Sequence, residues 1–552
     1  MSTGTDRIDL AGAWHIAASD AADYDSAAPP ADGDAWVPTR LPNTTWLPGP
    51  VDRGHGRAPA PDREYTEGPC LFARRRIELD REQAGRNAVL HWEILRWGFE
   101  AFVNGERVGA TDIYGPGRMV VPRGRLRAGT NELVLKVRNW SALPRAGVRD
   151  WPTIPAGAAV YGWGRKTGGL FGEIDLGLFD SFGIRSVVMH PNPQKRSVAA
   201  RVRLLSQVPL PGDVAVRVAI YRPGEPDRLL GTTRRTVRAA RATSGPIRVS
   251  VKLREFDLWE PEHPALTCAR ITVSCDGETH MRQVTFGMRT FEARDGGFRL
   301  NGRPYTVLGS NVVSEWLQPR YYHSLDGELK KYLIGQAGGM SVAAVRTHTM
   351  PPLHMAADLC DRHGMMILAE MPFTYNYQQV GFDADEAKHY HDRGFEMSLA
   401  WVEELANHPS IVMWVSTNEA PPRHGDFDQQ EWDMHTMIPA IKELDPSRPV
   451  LRSGEESPEI QDSHCYHGFW HGAAGDFEEQ MRWHARTRDP DRPIGNSEYI
   501  EGFPRQRIRH WLGYEEKTPE SAKYYAMVGM RQTEALRRLG FDLVLPYMLH
   551  MW

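Results

Sequence analysis

The sequence predicts a multidomain β plus α/β fold. A jelly-roll β-sandwich is expected over residues 1–180, an immunoglobulin-like β-sandwich over 181–292, and a (β/α)8 TIM barrel over 293–552. Three features predict it. The first third carries hairpin and turn signals without helical periodicity. The next roughly one hundred residues alternate apolar and polar positions, as a half-exposed antiparallel sheet does. From about Phe298, strand-length apolar runs recur at helix-sized intervals, which is the spacing a parallel barrel requires.

Each element has a local reason. Glu100 to Gly109 reads as two short strands meeting at Asn104-Gly105, the strongest short hairpin signal. Asn131 to Val137 is a strand after the turn residues Ala128-Gly129-Thr130, and Gly168 to Leu176 closes the first sandwich. In the second β segment Val214, Val216, Val218 and Ile220 alternate, as do Ile247, Val249, Val251 and Leu253. Ala239 to Gly245 between them is expected to be a flexible loop. Phe298 to Tyr305 is another hairpin, and the alternation follows: a strand at Tyr305 to Gly309, a helix around Ser324 to Gln336, and a strand at Val342 to Arg346. A helix opens at Pro351-Pro352 and stops at Gly364 before the strand Met365 to Glu370. Phe395, Leu399 and Val402 share a helical face that ends at Asn407-His408-Pro409, and Ile411 begins the fourth strand. Val450, Asp462 to Tyr466, Ile494 to Glu498 and Leu543 to Leu549 supply the remaining strands, with helix stops at Asp445-Pro-Ser-Arg-Pro449 and Gly540. The sequence reaches Trp552 at the eighth strand, so the barrel is expected to lack its last helix.

Composition narrows the function. Apolar residues at 41% and charged residues at 25% fit a globular protein with large cores. A net charge of −4 with both signs interspersed argues against nucleic acid and membrane surfaces as partners. Five scattered cysteines read as free thiols, and the N-terminus shows no signal-peptide pattern, so the expected location is cytoplasmic. A homo-oligomer is compatible with this composition. No cofactor is expected.

Chemistry is concentrated in two runs, Ile411-Val-Met-Trp-Val-Ser-Thr-Asn-Glu419 and Pro493-Ile-Gly-Asn-Ser-Glu498-Tyr499. A carboxylate at the tip of a buried strand is costly unless it has a partner or a task. Two of them on one rim of a parallel barrel are the equipment for acid/base and nucleophilic chemistry on a sugar acetal.

At these residues the chain resembles glycoside hydrolase family 2, which includes β-galactosidases, β-glucuronidases and β-mannosidases. Asp9-Leu-Ala-Gly-Ala-Trp14, Leu41-Pro-Asn-Thr-Thr-Trp46 and Phe102-Val-Asn-Gly105 resemble its sugar-binding jelly roll. Leu258-Trp-Glu-Pro-Glu-His-Pro264 resembles the end of its immunoglobulin-like domain. Val345-Arg-Thr-His348, Leu359-Cys-Asp-Arg-His-Gly364 and Asn407-His-Pro-Ser-Ile-Val-Met-Trp414 with Asn418-Glu419 are similar to its barrel, and Ser497-Glu498-Tyr499 follows in order. Thr417 stands where the family usually has a small residue and Ile500 where glycine is commoner. Asn311-Val-Val-Ser314 lacks the family's usual histidine.

The resemblance implies a retaining exo-β-glycosidase. Glu419 is the expected general acid/base, protonated near neutral pH through burial and its ionised neighbour, and Glu498 the expected nucleophile, held charged by donors. Asn418 is expected to bind the sugar 2-hydroxyl, and Arg346 and Tyr466 to hold Glu498 ionised. Trp552 would be the aromatic platform under the sugar, and His348 and Glu370 would line the pocket. Each has a structural rival: a strand-capping asparagine for Asn418, a buried ion pair for Arg346, core aromatics for Tyr466 and Trp552, and satisfied polar groups for His348 and Glu370. His464, His467 and His471 invite a zinc reading, but no second ligand cluster accompanies them, so no metal is expected.

The expected partner is a carbohydrate, a β-glycoside or an oligosaccharide. β-Galactosidase is the first substrate expectation, with β-glucuronidase and β-mannosidase as alternatives. Val412-Met-Trp414 with Asn418-Glu-Ala-Pro421 leans towards glucuronidase-like members. A carbohydrate-binding protein with a truncated, inactive barrel is the rival from another class.

Overall fold

The computed structural model describes residues 6–42, 68–148, 150–155, 169–312, 342–373, 381–420, 423–424, 427–469, 472–500, 513 and 518–547. The expected helix at Ser324 to Gln336 and the platform residue Trp552 lie outside them.

Two antiparallel sheets built from residues up to Phe179 enclose the first core. One orders Asp6–Asp9, Gly169–Phe179, Asn87–Arg96 and Gly117–Val121, and the other has six strands from Val37–Leu41 to Glu106–Thr111. Trp14, Leu71, Leu90, Trp92, Phe99 and Leu135 fill the space between them. The hairpin turn sits at Asn104 (φ 50°) and Gly105 (φ 82°), the double left-handed geometry that suits the twist of the flanking strands.

A second pair of sheets follows, of three and four strands. Val214–Tyr221 and Ile247–Lys252 turn their alternate apolar residues into a core with Ile271 and Val273. Ala239–Ser244 is a short helix rather than a flexible loop. Its residues Ala239-Ala-Arg-Ala are good helix formers, and Ala242 is buried in the second core, which fixes the turn.

The barrel strands are β1 (Val307–Val312), β2 (Ala344–Thr347), β3 (Met366–Glu370), β4 (Ile411–Asn418), β5 (Val450–Ser453), β6 (His464–Cys465), β7 (Gly495–Tyr499) and β8 (Leu543–Pro546). They hydrogen-bond in the order β5-β4-β3-β2-β1-β8-β7-β6, every neighbour parallel. Side chains bridge the remaining seam between β5 and β6: Ser453 Oγ lies 3.0 Å from His464 Nε2, and the Gly454 N–H donates to Asp462 at 2.7 Å. All eight residues of β4 are buried, as a strand covered on both faces must be, which is why it opens on the continuous apolar run Ile411 to Val415.

Helices α1 (His354–His363), α2 (Ala384–Leu405), α3 (Ile438–Leu444), α4 (Asp476–Thr487) and α5 (Pro519–Arg538) cover the strands. Gly364 ends α1 at φ 75°, and a Cβ there would meet Pro261 O at 1.9 Å, so no other residue fits. Among the described residues no helix is long and apolar enough to cross a membrane.

The first sandwich is packed onto the barrel. Ile94, Trp97, Tyr114 and Trp140 share one core with Leu353, Trp401, Ile411 and Trp414. At the same interface the Arg96 guanidinium donates to Met350 Sδ at 2.7 Å.

Candidate active site

The C-terminal ends of β1 to β7 converge on a buried polar cluster. Arg346, at the end of β2 and 0% exposed, is its hub. Its Nε donates to Glu370 at 2.6 Å, Nη1 to Asn311 at 2.8 Å and to Glu498 at 2.9 Å, and Nη2 to Asn418 at 2.6 Å. Burial works against its charge, but the Glu370 and Glu498 carboxylates outweigh burial and raise it further. Burial outweighs the opposing pull of Arg346 and the Thr349 N–H and leaves the Glu370 carboxyl raised to about 7. With a guanidinium and an amide both donating to Glu370, the ion pair is the favoured state at neutral pH.

Glu498, in β7, accepts from Arg346 on Oε2 and from the Tyr466 hydroxyl at 2.8 Å on Oε1. Glu419, immediately after β4, has its Oε1 2.7 Å from the same hydroxyl and 2.6 Å from His464 Nδ1. Tyr466 has one proton, so it donates to one carboxylate at a time. Ligand-capable atoms of Glu419, His464 and Glu498 all lie within 4.8 Å of one another, so a carboxyl oxygen of each glutamate falls inside that span.

His348, on β2's end, sits with Nε2 3.6 Å from Glu498 and 3.4 Å from the Asn418 amide. Burial, together with the charges of Arg346 and His464, lowers it well below the usual range, so it is neutral. Asn418 gives its oxygen to Arg346 and keeps its amide nitrogen for His348 or a ligand.

Seven of the eight expected site residues therefore meet in one place, and Trp552 lies outside the described residues. Glu370 is placed differently from the expectation. It is 0% exposed and both its oxygens are taken by Arg346 and Thr349, so it supports the guanidinium rather than lining a pocket.

The expected charge state of Glu419 also changes. Burial opposes its ionisation, but the hydrogen bond and charge of His464, with Tyr466 and Arg346, hold the carboxyl below its ordinary value. His464 is correspondingly raised by Glu419 against its own burial.

Sequence reasoning missed three contributors. Asn311, within β1, accepts from Arg346 and donates to Ser497 O at 3.0 Å and Leu545 O at 3.2 Å, tying β1 to β7 and β8. Ser453 and Ser497 flank the far side of His464. The sequence groups His464 with His467 and His471. The structure turns His467 Nε2 to Gln480 at 2.7 Å, and His471 is outside the described residues. A period-two reading of the β6 strand would have separated them, since His464 and Tyr466 share a face and His467 does not.

Three non-glycine residues with left-handed backbone stand at strand ends on this rim: Thr349 (φ 62°), Glu419 (φ 47°) and Ile500 (φ 63°). Such strain, of order 1–3 kcal/mol each, gathers at functional sites. The Glu419–His464–Glu498 group has a spacing that a cation can bridge, but Nδ1 and Oε1 are bonded directly to each other, so it is read as a hydrogen-bonded cluster.

Comparison with known proteins gives the site its family. Residues 294–504 match the model of the glycosyl hydrolases family 2 TIM barrel domain. That stretch is the part of the chain that the family 2 barrel accounts for. A β-galactosidase of Leuconostoc mesenteroides is 23% identical over 401 residues, 70% of this chain and 36% of the relative. A β-glucuronidase of Streptococcus agalactiae is 26% identical over 283 residues, 45% of each chain. The chain thus spans less than half the length of these curated relatives. Among solved structures, a family 2 β-galacturonidase from Eisenbergiella tayi superposes with a TM-score of 0.73 at 16% identity, covering 99% of this chain and 89% of the other. The β-D-glucuronidase of Dictyoglomus thermophilum does so at 0.72 and 16%, covering 99% and 91%. At that identity the superpositions speak for the fold alone.

Proposed function

We propose that this chain is a family 2 retaining exo-β-glycosidase acting on terminal β-linked sugars by double displacement, with Glu498 as nucleophile and Glu419 as general acid/base. The observation that supports it most is the Tyr466 hydroxyl, which lies 2.8 Å from one carboxylate and 2.7 Å from the other. That contact holds the carboxyls inside the separation of about 5–5.5 Å used for covalent double displacement, and short of the wider gap that would admit a water between them.

Glu498 attacks the anomeric carbon while Glu419 delivers a proton to the departing glycosidic oxygen. Arg346 and Tyr466 keep Glu498 an acceptor, and the Asn418 amide is available to the sugar 2-hydroxyl. The relatives carry galactosidase and glucuronidase names in similar measure, so galactosides and glucuronides are the first two substrates to try, with mannosides third.

The test is trapping with 2-deoxy-2-fluoro-β-glycosides of that panel. One of them should add a single sugar mass to the peptide containing Glu498. Unmodified protein across the whole panel, with binding retained, would favour the inactive carbohydrate-binding reading instead.

A further inference from the structure

His464 is bonded at both ring nitrogens. Nδ1 lies 2.6 Å from Glu419 Oε1 and 3.1 Å from the Tyr466 oxygen. Nε2 lies 3.0 Å from Ser453 Oγ and 3.0 Å from Ser497 Oγ, and these two hydroxyls are 2.8 Å apart. Ser497 Oγ donates onward to Asp462, whose carboxylate also accepts the Ser497 N–H at 2.9 Å and the Gly454 N–H at 2.7 Å. Gly454, at φ 84°, closes over the ring, since a Cβ there would stand 3.1 Å from Nδ1. The imidazole is therefore fixed in place and orientation from β5, β6 and β7 together.

We propose that His464 is a positioning residue for the acid/base, sharing one proton with Glu419 through the Nδ1–Oε1 hydrogen bond and releasing it only through Glu419. This rests on the glycosidase reading of the same site. In the resting pair the proton is on Nδ1 and Glu419 is a carboxylate. When the glycosidic bond breaks, its electron pair stays on the leaving oxygen and Glu419 transfers a proton there. The Nδ1 proton moves to Glu419 in the same event, leaving a carboxylate and a neutral imidazole. In the second half-reaction water gives its hydroxyl to the anomeric carbon, Glu498 leaves as a carboxylate, and the water's proton returns through Glu419 to Nδ1. The serines have a definite part. The Ser497 hydroxyl donates its hydrogen bond to Asp462, so its oxygen is left to accept from Nε2–H, with Ser453 Oγ beside it. That keeps the neutral ring in the Nε2–H tautomer and leaves Nδ1 as the site that gains and loses the proton.

The charged groups facing His464 are Glu419 from β4, Glu498 from β7, Asp462 preceding β6, and Glu455 after β5. Arg346 stands beyond Glu498, and neutral His348 also faces the ring. Four carboxyls around one imidazole favour its cation, which is the reason a lone Glu419 is not the sole holder of the proton. The pair titrates as a unit, so the alkaline limb of kcat/KM belongs to both residues.

The experiment compares the whole chain with His464→Asn and with the double variant Ser453→Ala/Ser497→Ala, using whichever aryl β-glycoside the panel identifies. In His464→Asn the alkaline limb should move down by about one pH unit or more. The neutral-pH rate on poor leaving groups should fall at least about tenfold relative to dinitrophenyl glycosides. The serine double variant keeps the imidazole but loses the acceptors of Nε2–H, so the same limb should move in the same direction by a smaller amount. An alkaline limb unmoved in either soluble variant overturns the proposal. Trapping separates the two failures: a wild-type chain that labels at Glu498 with an unmoved limb sinks only the role of His464, and a chain that never labels sinks the glycosidase reading and this one with it.

Discussion

Replacing Tyr466 with phenylalanine removes one oxygen and leaves the ring in place against His464, which it meets edge-on at 6.0 Å. The hydroxyl touches both glutamates, but it has a single proton, so at most one donated bond to a carboxylate is lost. A hydrogen bond to a charged group contributes about 1.5–3 kcal/mol net. If that bond is made to Glu498 throughout the glycosylation step, kcat/KM should fall roughly 10- to 150-fold at one decade per 1.36 kcal/mol. The acid limb of the profile should move up as well, because losing a donor makes the remaining carboxylate easier to protonate. The assay is kcat/KM against pH on an activated aryl glycoside, with the melting temperature followed in parallel. Activity within about twofold of wild type would refute the assigned contact, and so would an acid limb that moves down.

Three further outcomes follow from the same coordinates. Glu419→Ala should depress rates on poorly activated leaving groups far more than on dinitrophenyl glycosides, and a uniform loss across a leaving-group series would contradict the acid role. Arg346→Met should destabilise the protein by about 3–5 kcal/mol, because it leaves Glu370 and Glu498 buried without their cation; an unchanged melting temperature would show the hub to be dispensable. His354, at the start of α1, is raised to about 9 by the Glu404 and Glu93 carboxylates despite its burial. Its folded value exceeds its unfolded one, so its contribution is complete below about pH 6.5 and lost as the pH rises through about 9. The melting-temperature gap between wild type and His354→Gln should close over that window, and a gap that stays constant from pH 6 to 10 would rule out its pairing with Glu404 and Glu93.

The strand ends were legible because local chemistry announces them. β4 is buried on both faces, so its first five residues, Ile411 to Val415, form an apolar run, and an acid a few residues beyond such a run stands out without any knowledge of its neighbours. Hairpins at Asn104-Gly105 and Asn301-Gly302 were legible for the same reason, since their left-handed backbone restricts the residues that fit. Ala239–Ser244 was misread because a short helix held by one buried alanine leaves too brief a pattern to distinguish from a loop. Asn311 and the two serines were illegible for a different reason. Their function is to bond across strands, and what they touch depends on barrel register, which joins residues 151 to 235 positions apart in the sequence around Arg346 and Asn311. The pairing of His464 with Glu419 has the same origin, and it is what redirects the proton that burial alone would assign to the glutamate.

The strained rim and the polar cluster explain each other. Thr349 holds its left-handed turn while its N–H donates to Glu370, and Glu419 holds its own while its N–H donates to Ser453 O at 2.9 Å. Ile500 follows Tyr499, whose carbonyl accepts the Tyr547 N–H at 2.7 Å. In each case a neighbouring strand supplies the bond that an isolated turn would lack, so conformations costing of order 1–3 kcal/mol persist because the barrel over-determines them. The carboxylates then inherit their aim from backbone that has no freedom to relax. Barrel and sandwich are joined through Trp97, Tyr114 and Trp401 in one core, so the scaffold that bears this strain extends well beyond the eight strands. A site held this way resists rearrangement of one side chain at a time, which is why single substitutions around Arg346 should change rates and stability together rather than separately.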